Sequence, residues 1–173
     1  MTPEQALFLR DFLLQGIEGE FATTTRVLAA VPDEQSDYRP DPKSRTAREL
    51  AWHTVNTEVV FFNDIARGSF ECSDQEPPNP TKNTAELVAY YETGFKTGLE
   101  KVKQMTGEQL AATIPFFNVF NFPAAQYLTF LAKHTVHHRG QLSAYLRAMG
   151  SKVPAIYGPS GDEMWEMPAA AGA

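Results

Sequence analysis

An all-α fold, a four-helix bundle, follows from three features of this sequence: long stretches free of proline, apolar residues at helical spacing within them, and start and stop signals at their ends. The 12 prolines leave proline-free windows at 4–31, 43–76, 81–114 and 124–153. A proline inside a helix removes a hydrogen bond and collides with the preceding turn, so helices belong in the windows and connections between them.

The first window carries Leu9, Leu13, Ile17, Phe21 and Leu28 on one helical face, with Gly16 and Gly19 as weak points. The second opens with Thr46-Ala47-Arg48-Glu49, a capping box in which each side chain meets a free backbone N–H. A helix from about Thr46 to Arg67 follows, stopped by Gly68. The third window begins with a cap at Asn83-Thr84-Ala85-Glu86 and has the stripe Leu87, Tyr90, Tyr91, Phe95, Leu99 and Val102, with Gly94 and Gly98 allowing close approach of a neighbour. The fourth starts at Asn121-Phe122-Pro123 and runs through Leu128, Leu131, His138, Leu142, Tyr145 and Met149 to Gly150. Four such segments joined by polar, proline-rich loops make a bundle.

A chain of 173 residues, 43% hydrophobic, supports one packed core. We expect a single domain over residues 1–167 and a flexible small-residue tail over 168–173. With 15 Lys and Arg against 21 Asp and Glu the net charge is -6, and no dense basic run is present, which excludes a nucleic-acid partner. The one cysteine, Cys72, forms no internal disulfide and no zinc site of paired cysteines. It lies in an acidic loop and reads as a bystander. Without a signal peptide or a long apolar segment, the expectation is a soluble cytoplasmic protein, not a membrane one.

The histidines carry the chemistry. His134 and His138 are one helical turn apart and about 40° apart in direction, so both imidazoles reach one ion. They sit beside Leu131, Leu142 and Tyr145, away from the polar face of Thr129, Ser143 and Arg147. His137 points about 100° away from His138 and is left out. On the second helix, His53 shares a line with Thr57, Val60 and Asp64 and faces inward. Two imidazoles from one helix and one from another can hold a divalent metal, with a fourth position open to water or substrate. Nitrogen ligation suits zinc or nickel rather than calcium or magnesium. Glu49 is the other carboxylate candidate, but the capping box accounts for it. Glu-x-x-His pairs of di-iron carboxylate proteins are absent from the sequence, which disfavours oxygen activation.

The string His134-Thr-Val-His-His138-Arg139-Gly140-Gln141, followed by Tyr145-Leu146-Arg147 and Gly150, resembles the closing-helix signature of the DinB/YfiT-like proteins. Tyr38-Arg39-Pro40-Asp41-Pro42-Lys43-Ser44 before Leu50-Ala-Trp-His53, and Val153-Pro-Ala-Ile-Tyr157-Gly158 after the last helix, extend the resemblance over roughly residues 5 to 165. It implies an up-down-down-up bundle, a three-His site at His53, His134 and His138 for zinc, nickel or another divalent ion, and a homodimer. It also implies transferase or isomerase chemistry with a low-molecular-weight thiol. The reading that follows is a metal-dependent, thiol-using S-transferase or isomerase acting on a small electrophile, with other metal-dependent hydrolase-type chemistry also open. The alternative is a metal-binding stress-response protein without turnover. No catalytic residue beyond the ligands is identified.

Arg139 and Arg147 are expected to be solvated or ion-paired. The stretch Phe116-Phe117-Asn118-Val119-Phe120-Asn121-Phe122 reads as core, subunit interface or a cover over a pocket mouth, and the same choice applies to Tyr157 and Trp165.

Overall fold

A computed structural model of the chain describes residues 1–70, 76–117 and 119–164. Cys72, Asn118, Trp165 and the 168–173 tail lie outside the described residues. Four long helices are present: α1 (Pro3–Ala29), α2 (Ala47–Arg67), α3 (Thr84–Lys103) and α5 (Tyr127–Ala148), with a short α4 (Gly107–Ala111) between the last two.

The ends follow the chemistry of the caps. Thr2 and Gln5 form a capping box that starts α1 at Pro3, whose missing N–H is no loss in a first turn. Thr46 and Glu49 do the same for α2, and Gly68 ends it in the left-handed conformation at φ 78°. The Asn83 side chain accepts from the Glu86 N–H at the start of α3. Along α1, Ile17 and Leu28 are buried, while Leu9, Leu13 and Phe21 pack at the core edge.

Side-chain contacts give the helix directions. Tyr91 meets Glu58 and Lys101 meets Asn63, so α2 and α3 run parallel. His138 lies against His53 and Thr135 against Glu58, so α5 opposes α2. Lys103 reaches Glu18, and Phe95 stacks on Phe21, so α3 opposes α1. The result is the up-down-down-up bundle that the resemblance implied. Its α1 packs against α3 and α5, and so does α2. A Cβ on Gly94 would stand 2.5 Å from Val59 Cγ2, and one on Gly98 would stand 2.5 Å from Phe62 Cβ. Both glycines are what lets α3 lie this close to α2.

Two features depart from the sequence reading. The third helix stops at Lys103, one residue past the end of its predicted stripe, and in the rest of its window Thr106 and Gln109 form a further capping box, not foreseen, that restarts the chain as α4. The Phe-rich stretch forms a two-stranded antiparallel hairpin, β1 (Thr113–Phe116) and β2 (Phe120–Pro123), with Ile114 opposite Phe122 and Phe116 opposite Phe120. The Tyr127 hydroxyl pins it, donating to the Ile114 carbonyl at 2.8 Å and accepting from the Phe122 N–H at 3.3 Å. Pro123 therefore ends a strand, and α5 begins only after a 3-10 turn at Ala124–Gln126.

No helix among the described residues is long and apolar enough to cross a membrane.

Candidate metal centre and cleft

His53 occupies the middle of the second turn of α2, and His134 and His138 lie one turn apart on α5. Because the two helices are antiparallel and packed, the three rings meet. Ring centroids are 4.9 Å apart for His53 and His134, 4.7 Å for His53 and His138, and 4.3 Å for His134 and His138. One ring nitrogen from each lies within 4.8 Å of the others. The Nε2 atoms of His53 and His134 are 3.1 Å apart. Two nitrogens on one tetrahedral zinc sit about 3.3 Å apart, so the spacing matches a shared ion.

The outer nitrogens matter as much. His53 Nδ1 donates to Glu76 Oε1 at 3.0 Å, which leaves its Nε2 as a bare lone pair directed at the other rings. His138 Nδ1 lies 2.7 Å from Gln141 Oε1, with the same consequence. Trp52 Nε1 donates to the Pro77 carbonyl at 2.8 Å, tethering the loop that carries Glu76. His134 Nδ1 is buried without a hydrogen-bond partner among the described residues.

Burial holds all three rings in the neutral form that binds metal. It pushes His134 down to about 3, with the neighbouring imidazoles adding to the effect. His53 is lowered by burial against the opposing pull of Glu76, and His138 by burial against its bond to Gln141. Three neutral nitrogen donors with two oriented outer nitrogens are a donor set that suits zinc or nickel.

His53 and His134 stand in the wall of a cleft of about 940 Å³. Thr57, Val60, Phe61 and Asp64 of α2 continue that wall, Phe116, Phe117 and Phe130 line the cleft as well, and Phe61 and Phe116 are in ring contact. The Phe-rich hairpin thus borders a pocket mouth, one of the roles open to it from sequence.

His137 is exposed on α5 and stays outside the cluster. Glu49 Oε2 accepts from the Thr46 N–H at 2.7 Å, as a capping residue should. Arg147 is an exposed residue paired with Asp162 at 2.7 Å. Arg139 differs from a surface arginine: it is 1 % exposed. It pairs with Glu20 at 2.5 Å and donates to Thr24 at 3.2 Å and to the Tyr157 hydroxyl at 2.7 Å. Here Tyr157 ties the segment after α5 back to the bundle.

Three residues were missed. Glu76 lies in a loop with no spacing relation to the histidines. Gln141 stood in the quoted string but carried no role, although its position three residues after His138 places it on the same helical face. Glu58 is 2 % exposed and accepts from Tyr91 at 3.0 Å and from Thr135 at 3.1 Å; burial raises its carboxyl to about 7. The burial of Thr54, Val55 and Val59 around it on α2 was the available signal.

Comparison with known proteins agrees with the fold. The sequence model of the DinB family matches residues 6–168. The chain is 30% identical over 155 residues to the Bacillus subtilis protein YrdA, covering 88% of this chain and 90% of that one. The crystal structure of a DinB-like protein from Bacillus cereus superposes with a TM-score of 0.71 at 27% identity, over 84% of this chain and 95% of that one. The fold is also shared with the mycothiol-dependent maleylpyruvate isomerase, at a TM-score of 0.57 and 14% identity, over 82% of this chain and 61% of that one.

Proposed function

The chain belongs to the DinB family, and from that premise we propose that it is a metal-dependent enzyme in which His53, His134 and His138 hold one divalent ion, zinc or nickel. We further propose that it joins a low-molecular-weight thiol to a small electrophile, or isomerises one, in the adjoining cleft. The observation that carries this reading is the convergence of three neutral imidazoles, two of which, His53 and His134, line an open cleft. A closed polar shell would have favoured storage; an open side favours turnover.

When bound, the ion would supply Lewis acidity, which lowers the pKa of a thiol enough for it to act as a nucleophile at neutral pH. The protein's own part is to hold and to shield. Glu76 and Gln141 fix the orientation of His53 and His138. The phenylalanines of the hairpin and Phe130 give the cleft an apolar side that excludes water from a reacting molecule. The shared fold with a mycothiol-dependent isomerase supports thiol chemistry, and the same reading takes the protein to be a cytoplasmic homodimer.

Elemental analysis of untagged protein tests the ligand set. One equivalent of metal is expected in the parent, and its loss in His53→Ala, His134→Ala and His138→Ala, with His137→Ala unaffected. Loss in His137→Ala but not in His134→Ala would refute the assignment. A panel of thiols with a chromogenic electrophile should then show metal-dependent turnover. Stoichiometric metal with uniform inactivity would leave the metal-binding, stress-response reading in its place.

A further inference from the structure

We infer that the cleft takes an elongated ligand, with its reactive end at the imidazoles, an apolar middle against the phenylalanines, and an anionic end at Lys101, which bonds to Asn63, about 15 Å along α2 from His53. This deepens the proposed function and rests on it only for what happens at the imidazole end.

The length comes from α2. His53, Thr57, Val60, Asn63 and Arg67 all line the cleft, and their spacing of three or four residues puts them on one face along most of the helix. Ten residues separate His53 from Asn63, and at 1.5 Å per residue that is about 15 Å. The cleft is therefore a trough along a helix, with the imidazoles near one end.

Its middle carries an apolar side among polar neighbours. Val60 is 38% exposed, and Phe116, Phe117 and Phe130 line the same cleft. Phe117, 45% exposed, has a φ of 49°. That left-handed conformation is what a tight hairpin turn between Phe116 and Phe120 requires. Here it sets an aromatic ring at the hairpin tip on the cleft's edge.

The two ends differ in charge. Near the imidazoles, Arg45 lies 3.8 Å from Glu76, so cation and anion offset each other. At the far end, Arg67 is paired with Asp64. Lys101 has only a neutral partner, donating to Asn63 Oδ1 at 2.7 Å, and makes no ion pair among the described residues. An amide leaves the ammonium charge uncompensated, so an anionic group arriving there gains a charge-assisted bond. Carboxylates and phosphates share that chemistry.

Calorimetric binding of mercaptoundecanoic acid, whose chain is about as long as the trough, tests the inference on zinc-loaded and on metal-stripped protein. The acid should bind roughly ten-fold more tightly than mercaptoundecanol in both forms, the gain of one charge-assisted contact. Lys101→Gln should erase that preference while leaving the alcohol's affinity and the metal content unchanged, and Lys101→Arg should keep it. The short mercaptopropionic acid, unable to span the trough, should be indifferent to Lys101. A mercaptoundecyl phosphonate compared with the carboxylate identifies the preferred anion. Equal binding of acid and alcohol, or a preference that survives Lys101→Gln, overturns the inference. If zinc adds nothing to thiol binding while the Lys101 dependence holds, it is the metal reading that fails and the anionic end that stands.

Discussion

At the scale of single residues, the site depends on groups that touch no ligand. Glu76 fixes the tautomer of His53 through a 3.0 Å bond, and removing such a partner typically weakens metal binding about 10-fold to 100-fold. Glu76→Gln should therefore raise the zinc dissociation constant by that factor in competition with a chromophoric chelator, with the helical circular dichroism unchanged. Glu58 offers a different test. Buried between Tyr91 of α3 and Thr135 of α5, with Arg139 of α5 and Glu20 of α1 nearby, its carboxyl is raised by burial from an ordinary 4.5 to about 7. A raised carboxyl binds its proton more tightly in the folded state. Its contribution to stability is fully present below pH 4.5 and is lost as pH climbs through 7. Glu58→Gln should match the parent in urea denaturation at about pH 4 and exceed it at about pH 8, by an amount of the order of 3 kcal/mol. An equal difference at both pH values would contradict this. The histidines could be read from sequence because helical spacing decides which of them share a face, and that is local information. Glu76 could not, since only the course of a loop brings it to His53.

At the scale of elements, the contact of α2 with α3 rests on two missing side chains. An added Cβ at Gly98 would collide with Phe62, whereas one at Gly16 of α1 meets nothing within 4 Å. Alanine favours a helix over glycine by about 1 kcal/mol in either place, but overpacking costs about 1–3 kcal/mol. Gly16→Ala should raise the melting temperature by roughly 3 °C, and Gly98→Ala should lower it, by up to roughly 6 °C; scanning calorimetry of the pair checks the sign. The long helices were legible because each carries its own cap and its own apolar stripe. The hairpin was not, because its strands of four residues are too short for alternation to stand out. What specifies them is the distant hydroxyl of Tyr127, which no local pattern reveals.

At the scale of the whole molecule, the proposed ion would join α2 to α5 and so contribute to folding. A ligand present at about 100 times its dissociation constant stabilises a protein by about 2.7 kcal/mol, equivalent to roughly 8 °C in a chain of this length. Chelation should lower the melting temperature by about that much, and zinc should restore it in the parent but not in His134→Ala. A melting temperature indifferent to chelation would speak against a bound ion.

Parallel neighbours also need a return path. Because α2 and α3 point the same way, α3 does not follow α2 in a tight turn, and on the described approach to α3 the chain sets Glu76 against His53 and Pro77 against the Trp52 indole. The crossover is thus a tuning strap: shortening or re-lettering it would detune the imidazoles while every rod of the scaffold stayed in place.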